Sequence, residues 1–242
     1  IQAKELAEER KKVRFEFISV LAHELKSPIN AVEGYLRIIK DRSAGDDPKV
    51  YENMMERSLT RIEYMKKLIS DLLDMTHIES GQRKREPEPL NIKEIAQTCL
   101  DSVATMAKER HISLELEEKK GRPFRADQSE IEIILNNLIS NAVKYNKDNG
   151  KVKVELEFED DLVRLSVADT GIGLSEKKKE KLFNDFVRIK KQETKHILGS
   201  GLGLSIVQKI AQIYNGSVNV ESTPGEGSTF TVELREEKKN TA

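Results

Sequence analysis

The chain has 242 residues, and its 37% apolar and 34% charged residues are typical of a soluble globular protein with one large domain or two modest ones. Its 41 basic and 42 acidic residues balance, so we expect no nucleic-acid partner and no electrostatic attraction to a membrane. A single cysteine, Cys99, excludes an intrachain disulfide, and the four histidines are too scattered for a metal cluster. No apolar run approaches the roughly 18 residues of a spanning helix. We therefore expect a cytoplasmic fragment, with any membrane anchor outside this chain.

An apolar heptad pattern over residues 13–40 predicts a long helix. Its a and d positions are Phe15, Ile18, Ala22, Leu25, Ile29, Val32, Leu36 and Ile39. A turn at 41–48 and a second apolar pattern at 49–79 complete an αα-hairpin. One hairpin cannot bury so long and narrow a stripe. We therefore expect an all-α hairpin that forms a four-helix bundle in a homodimer.

Residues 80–90 contain a glycine, two prolines and dense charge, which predicts a linker. Beyond it, helical and strand patterns mix. Helices are expected at 91–109, 128–146 and 202–214, and strands at 111–117, 151–158, 162–168, 217–222 and 228–234. This order predicts an α+β domain, an α/β sandwich with helices on one face of a mixed sheet.

Three polar residues of the helix predicted at 128–146 share one face. They are Asn137, Asn141 and Lys144, spaced by four and then three residues. Asparagine is a mediocre helix former, so two on one face need an explanation. Their carbonyl oxygens suit a hard cation such as Mg²⁺ beside phosphates. The alternative is an ordinary solvated polar face.

Two glycine-containing segments follow. Asp169 ends a strand and is followed by Gly171 and Gly173, so that its carboxylate can accept from an exocyclic amino group while the glycines allow a ligand close to the backbone. By itself this string favours a simple strand-ending turn. Further on, Gly199, Gly201 and Gly203 open an amphipathic helix, where free backbone N–H groups and the helix dipole favour an anion such as a polyphosphate. The second segment is neither a Walker loop nor a dinucleotide fingerprint.

Taken together, and in this order and spacing, these segments resemble the N, G1 and G2 boxes of the Bergerat-type ATPases. The resemblance implies that Asn137 and Asn141 serve Mg²⁺ and the phosphates of ATP, with Lys144 and Tyr145 alongside. It also implies that Asp169 reads the adenine amino group. Within GSGLGL, the glycines and Leu202 belong to the phosphate-binding lid, and Thr229 is similar to the family threonine near adenine.

The stretch 174–198 is similar to the F box and mobile ATP lid of histidine kinases. In that interpretation Phe183 and Phe186 pack the lid, and the basic residues from Arg188 to Lys195 flank the triphosphate. The alternative is a solvated charged loop. His196 also lies in this stretch, as a candidate neighbour of phosphate.

The sequence FISVLAHELKSPINAVEGYL resembles the H box of the commonest class of sensor histidine kinases. The resemblance implies that His23 is phosphorylated and that Glu24 orients it and accepts its ring proton. His23 lies next to an a position, outside the apolar seam, and Pro28 predicts a weakened or kinked helix nearby. Ser27 shares the face of His23 but departs from the usual threonine or asparagine, which puts the phosphatase activity of the family in doubt.

The resemblance therefore implies a homodimeric, ATP- and Mg²⁺-dependent kinase that phosphorylates its own His23 and passes the phosphoryl group to the receiver domain of a separate response regulator. Whether transfer within the dimer is in cis or in trans stays open. The implied organisation is the end of an upstream signalling helix at 1–14, a dimerisation and phosphotransfer domain at 15–79, the linker at 80–90, an ATP-binding domain at 91–236 and a tail at 237–242.

Two other functions compete with this one. A Bergerat ATPase that works as a conformational clamp would release free phosphate and has no use for the motif around His23. A dimerisation scaffold with a degenerate nucleotide site would turn over nothing.

Overall fold

The computed structural model describes residues 2–80, 85–186 and 199–236, with side chains from Phe15 onward except that of residue 16. The chain divides into two compact units. The first contains most of a helical hairpin together with Gly199 and Ser200, and the second contains the sheet. The division falls between Leu72 and Leu73, so the end of the second hairpin helix belongs to the second unit. The two units are described separately below.

The first unit is the predicted αα-hairpin. Helix α1 runs over Gln2–Asp41 and α2 over Pro48–Ser80. Pro28 lies inside α1 and is buried, and the helix continues through it rather than ending there. Among the described side chains of the hairpin helices, Tyr64, Leu68 and Met75 are buried as well as Pro28. Most of the heptad residues stay at the surface of this single chain, as the prediction of an unburied apolar stripe requires.

The second unit is a five-stranded mixed sheet with helices on one face, which confirms the predicted fold class. Its strands are β2 (Ser113–Lys119), β4 (Lys151–Glu159), β5 (Leu162–Asp169), β6 (Ser217–Thr223) and β7 (Gly227–Arg235). They lie in the order β2-β4-β5-β7-β6, with β2 and β4 parallel and the other pairs antiparallel. Helices α3 (Ile92–Glu109), α4 (Gln128–Lys144) and α6 (Gly203–Ile213) pack together and contact the sheet.

The core of this unit follows from the period-two pattern of its strands. On β4, Val152, Val154 and Leu156 are buried while the residues between them are half-buried, and β5 repeats the pattern. The helices bury apolar residues at helical spacing, such as Ile131, Ile134 and Leu138 of α4. Cys99 of α3 belongs to this core.

Three short elements differ from the prediction: β1 (Glu88–Leu90), β3 (Phe124–Ala126) and α5 (Glu176–Lys179). Each is three or four residues long, too short to show a period in the sequence. Strands β1 and β3 pair with each other in an antiparallel two-stranded sheet. The last three residues of the predicted linker are therefore strand, while the predicted domain boundaries themselves stay a prediction.

Arg85, which also lies in the predicted linker, is held by the buried carboxylate of Glu130. Arg85 donates through Nε and Nη2 to the two carboxylate oxygens of Glu130, both at 2.8 Å, and Glu130 is 1% exposed. The hydroxyl of Tyr214 donates to the same carboxylate at 2.6 Å, and the Arg85 guanidinium lies over the Tyr214 ring. Burial and the adjacent Glu130 carboxylate raise the pKa of the Tyr214 phenol well above its usual range. The segment before β1 is thus held at the start of α4.

Candidate active site

The histidine of the H box is the most accessible of the predicted site residues. His23 lies on α1 with its side chain 80% exposed, and its Nδ1 is 3.9 Å from Oε1 of Glu24. That separation is longer than a hydrogen bond. The exposed imidazole is free to rotate toward the carboxylate, so the two side chains are neighbours even though adjacent residues on a helix do not normally face each other.

The carboxylate of Glu24 is held by a residue that sequence reasoning missed. The hydroxyl of Tyr64 on α2 donates to Oε2 of Glu24 at 2.9 Å. Tyr64 is 8% exposed, so its ring is fixed within the hairpin. The two residues are 40 positions apart, and no local spacing links them.

Ser27 lies one turn after His23 on α1 and is exposed. Pro28, which follows it, is buried. The helix is continuous at this point, so the main chain presents His23 and Ser27 on the same side, four residues apart.

In the sheet unit, Asp169 ends β5 and is largely buried. Its Oδ1 accepts a hydrogen bond from the backbone N–H of Gly171 at 2.8 Å, and its carboxylate also accepts from the backbone N–H of Ser228. Burial raises the pKa of the Asp169 carboxyl to about 6, because the two N–H donors only partly offset the loss of solvent. A carboxylate in this state is poised to accept one strong hydrogen bond from a ligand.

The turn after Asp169 lies directly against the end of α4. A Cβ on Gly171 would overlap the carbonyl oxygen of Tyr145, and the N–H of Ile172 donates to that oxygen at 3.1 Å. Gly173 has a φ of +55° and packs against the backbone of Thr223. The glycines at these two predicted positions are therefore required by close backbone contacts.

The first turn of α6 lies against the predicted cation ligand. The Nδ2 of Asn137 donates to the carbonyl of Ile133 at 2.8 Å, and its Oδ1 is the atom that a Cβ on Gly203 would overlap. Asn137 is buried on α4, so its side chain is fixed by its own helix. The structure thereby brings together Asn137 and Gly203, two residues that the sequence placed in separate boxes.

The start of α6 is suited to an anion. Gly201 has a φ of +76° and lies against the backbone of Phe186, another predicted lid residue. Leu202 is buried at the N-cap position, and no side chain caps the helix there by a hydrogen bond. Backbone N–H groups of an uncapped first turn favour negative charge.

The other predicted nucleotide residues occupy varied positions. Asn141 and Lys144 are half-buried on α4, and Tyr145 caps that helix with its N–H donated to the Asn141 carbonyl at 2.9 Å. Thr229 is half-buried on β7, where it pairs with Ala168 next to Asp169. Gly199 and Phe183 are half-buried. Arg188, like the stretch up to Lys195 and His196, lies outside the described residues.

Two residues near the nucleotide pocket were not predicted. Asn146 is buried at the end of α4 and accepts from the hydroxyl of Thr170 at 3.2 Å, while its Nδ2 donates to the carbonyl of Lys151 at 3.0 Å. These two hydrogen bonds connect the turn after Asp169 to the end of α4. Since all three residues belong to different local segments, their spacing in the sequence carries no signal.

Among the described residues there is no group of three or more His, Cys, Asp or Glu arranged to hold a metal ion. The amide oxygens of Asn137 and Asn141 nevertheless fit a Mg²⁺ ion that is held mainly by phosphates, since this ion favours oxygen ligands and few protein contacts. No helix in the described part of the chain is long and apolar enough to cross a membrane.

Comparison with known families shows to which family the two parts of the chain belong. A model described as the His Kinase A (phospho-acceptor) domain matches residues 13–81, and one described as the histidine kinase-, DNA gyrase B- and HSP90-like ATPase matches residues 126–238. The first contains His23 and the second contains the Asn137, Asp169 and Gly203 boxes. The chain belongs to the two-component sensor histidine kinases.

Individual proteins resemble this chain over most of its length. The "Non-motile and phage-resistance protein" of Caulobacter vibrioides is 30% identical over 95% of the chain and 28% of its own length. The sensor histidine kinase WalK of Bacillus subtilis is 30% identical over 94% of the chain and 38% of its own length. The crystal structure of full-length ShkA in complex with AMPPNP shares 25% identity, with a TM-score of 0.66, over 92% of the chain and 46% of ShkA. The chain thus spans less than half the length of these relatives.

Proposed function

We propose that this histidine kinase segment transfers the γ-phosphoryl group of ATP to His23 and then to an aspartate of a separate response regulator. The observation that carries the proposal is an exposed histidine beside a held carboxylate in a phospho-acceptor domain, within a chain that also contains an ATPase domain. Neither the clamp nor the scaffold function gives this histidine a role.

The adenine of ATP is recognised by Asp169, whose carboxylate accepts from the exocyclic amino group. The backbone donors from Gly171 and Ser228 hold the carboxylate, and Thr229 lies beside it on the neighbouring strand. The ShkA structure, which holds the ATP analogue AMPPNP, supports a nucleotide for a similar protein. A purine that carries a carbonyl oxygen in place of the adenine amino group is disfavoured, because this oxygen and the Asp169 carboxylate are both hydrogen-bond acceptors.

The triphosphate is bound between the start of α6 and α4. Backbone N–H groups around Gly201 and Gly203 face the phosphates, with Lys144 as a nearby cation. Asn137 and Asn141 are the residues that would hold Mg²⁺, which when bound neutralises charge on the phosphates. The proposed ATP-binding site also includes Tyr145, Gly199, Leu202 and Arg188.

The chemical step is an in-line displacement at the γ-phosphorus. A neutral imidazole is nucleophilic through its unprotonated ring nitrogen. The lone pair of Nε2 of His23 forms the N–P bond, while the bond from the γ-phosphorus to the β,γ-bridging oxygen breaks and ADP leaves with that electron pair. The proton on Nδ1 passes to Glu24, so that the phosphohistidine is left uncharged on the ring.

The phosphoryl group then passes from Nε2 of His23 to a carboxylate oxygen of the receiver domain, as an O–P bond forms and the N–P bond breaks. The proposed phosphatase activity is the hydrolysis of that aspartyl phosphate, in which water attacks the phosphorus, inorganic phosphate is released and the carboxylate is restored. Ser27 shares the face of His23 and offers a hydroxyl to that water. The predicted homodimer fits the exposed heptad residues of the hairpin, and we include a second copy of the chain as a partner.

The experiment that tests the proposal is autophosphorylation with γ-labelled ATP and Mg²⁺. The protein should acquire label that is stable in base and lost in acid, and His23→Gln should abolish it. His77→Gln is the matched control, since His77 is an exposed histidine of the same hairpin and should leave labelling intact.

The competing functions give different results in the same assay. Release of free phosphate with no label on the protein would support the clamp, and ATP binding without turnover would support the scaffold. Label that persists in His23→Gln would overturn His23 as the acceptor.

A further inference from the structure

The two carboxylate oxygens of Glu24 have different neighbours. Oε2 accepts the hydrogen bond from the Tyr64 hydroxyl at 2.9 Å, while Oε1 is the oxygen 3.9 Å from Nδ1 of His23. A glutamate side chain has three rotatable bonds, and on a helix surface it would normally move among several rotamers. The hydrogen bond from Tyr64 to Oε2 restricts the rotamers of Glu24. It favours one in which Oε1 stays on the side of His23.

The geometry of Tyr64 makes it a rigid support. Its ring is almost fully buried in the hairpin and its hydroxyl reaches Glu24 across from α2, so the donor cannot follow the carboxylate if it turns away. Glu24 itself is only partly exposed. Hydrogen bonds to a charged acceptor are stronger than those between neutral groups, strong enough to favour one rotamer of Glu24 over the others.

We propose that Tyr64 is a positioning residue for the reaction of His23: it holds Oε2 of Glu24 so that Oε1 faces Nδ1 of the imidazole. The inference rests on the proposed autophosphorylation of His23. Tyr64 acts through Glu24, whose carboxylate it contacts.

The consequence for the histidine is a fixed tautomer. A carboxylate beside Nδ1 favours the form with the proton on Nδ1, which leaves the lone pair on Nε2 for the γ-phosphorus. When the phenol is absent, Glu24 is free to turn toward water, and the proton distributes over both ring nitrogens. A smaller fraction of molecules then has Nε2 ready to attack.

The first measurement is the tautomer of His23 by ¹⁵N and ¹³C NMR of the imidazole at pH 8, with the signals assigned by their loss in His23→Gln. We expect the wild type to favour the form protonated on Nδ1 and Tyr64→Phe to shift toward the form protonated on Nε2. Tyr51→Phe is the matched control: Tyr51 lies near the start of α2, and its hydroxyl donates at 2.7 Å to the carbonyl of Gly45, in the turn between α1 and α2, rather than to Glu24. It should leave the tautomer unchanged.

The second measurement is the rate of autophosphorylation. Tyr64→Phe should lower kcat about tenfold with an unchanged KM for ATP, since only part of the roughly 10²–10⁴-fold effect of a general base is lost. In a Glu24→Ala background the same substitution should have no further effect, because the residue through which Tyr64 acts is gone. Tyr51→Phe should match the wild type.

A third measurement leaves Tyr64 in place and so does not depend on how well Tyr64→Phe folds. Glu24→Ala should move the ¹³Cζ signal of Tyr64, because its phenol loses an anionic acceptor, and should leave the Tyr51 signal unmoved.

The outcomes separate this inference from the proposed function. If the wild type is labelled on His23 but Tyr64→Phe keeps both its kcat and the tautomer, Tyr64 has no positioning role. A tenfold loss that persists in the Glu24→Ala background would also overturn it. If the wild type carries no label, the proposed function fails, while the tautomer and the Tyr64 signal still decide whether the contact orients His23.

Discussion

The hairpin leaves many large apolar side chains exposed, whereas the sheet unit buries most of its own. Nine of the ten large apolar side chains that the described part of the chain leaves exposed lie on α1 and α2: Phe15, Ile18, Val20, Ile29, Leu36, Met55, Leu59, Ile69 and Leu73. The tenth, Met106, lies on α3 of the sheet unit. The sheet unit buries its strands and helices against one another and needs no second chain for its core.

The difference follows from geometry. A sheet with three helices on one face closes a core within one chain, because each apolar face meets another. Two antiparallel helices share only one line of contact, so a heptad stripe on both leaves half of its apolar surface in water. We therefore expect the stability of the hairpin to depend on a partner, and the function of the sheet unit to depend on internal contacts.

The strongest test of this comparison is the double substitution of Ile29→Asp and Leu36→Asp. These side chains are 50% and 55% exposed on the hairpin. If they are buried in a dimer, four side chains at about 1.5 kcal/mol or more each weaken dimerisation by about 6 kcal/mol, or roughly four powers of ten in Kd. Light scattering should give a wild-type mass near twice 27.5 kDa and a variant mass of 27.5 kDa.

The control for this test is Met106→Asp, which charges an exposed apolar residue of the sheet unit and should leave the mass unchanged. A monomeric wild type, or a double variant that stays dimeric, would contradict the role of the stripe.

Asp169→Asn tests the internal contacts of the sheet unit. The amide would present N–H donors either to the adenine amino group or to the backbone N–H groups of Gly171 and Ser228, so one hydrogen bond is lost whichever way it turns. We expect ATP affinity to fall about 10- to 100-fold, the equivalent of about 1.5–3 kcal/mol. Calorimetric titration measures this, and equal affinity for ATP in both proteins would exclude Asp169 from adenine recognition.

Gly203→Ala is the first of two glycine substitutions, one in each unit, whose effects on nucleotide binding can be compared. The added methyl group would overlap Oδ1 of Asn137, which must then move. We expect ATP and Mg²⁺ to bind about tenfold more weakly, because a misplaced ligand costs about one hydrogen bond.

Gly34→Ala is the matched substitution on the hairpin, where a Cβ meets nothing within 4 Å. It should leave nucleotide binding unchanged and raise the free energy of unfolding by up to about 1 kcal/mol, since alanine is the better helix former. Equal nucleotide affinity in Gly203→Ala and Gly34→Ala would show that the tight contact with Asn137 has no part in binding.

The smallest expected effect is the pH dependence of ATP binding. Burial raises the pKa of Asp169 to about 6, so the carboxylate is charged above that pH and gains a proton, and loses its acceptor role, as the pH falls through it. ATP affinity should therefore be about twofold lower at pH 6 than at pH 8. Asp169→Asn is the reference, because its remaining pH dependence comes from the phosphates alone, and parallel curves for the two proteins would contradict the prediction.

Much of the candidate site could be predicted because its parts are local. Asn137 and Asn141 share a helix face, Asp169 and Gly171 share one turn, and a heptad places His23 beside the apolar seam. Each of these relations spans only a few residues, and the geometry of a helix or a turn determines it.

The contacts that hold those residues could not be predicted in the same way. Tyr64 reaches Glu24 from another helix, Ser228 reaches Asp169 from another strand, and Asn146 holds Thr170 across a turn. The pairing of β1 with β3 and the contact of Arg85 with Glu130 could not be predicted either. In each case the two partners lie far apart in the sequence, and no fixed spacing relates them.

The sequence by itself determined the two kinds of domain and the family, and it supplied the candidate site residues, because periodicity and short motifs are properties of neighbouring residues. Only the tertiary structure decided that Oε1 of Glu24 faces His23, that Asp169 is buried enough for its pKa to rise, and that Gly203 lies against Asn137. These are properties of distance and burial, and they arise only when segments far apart in the chain pack together.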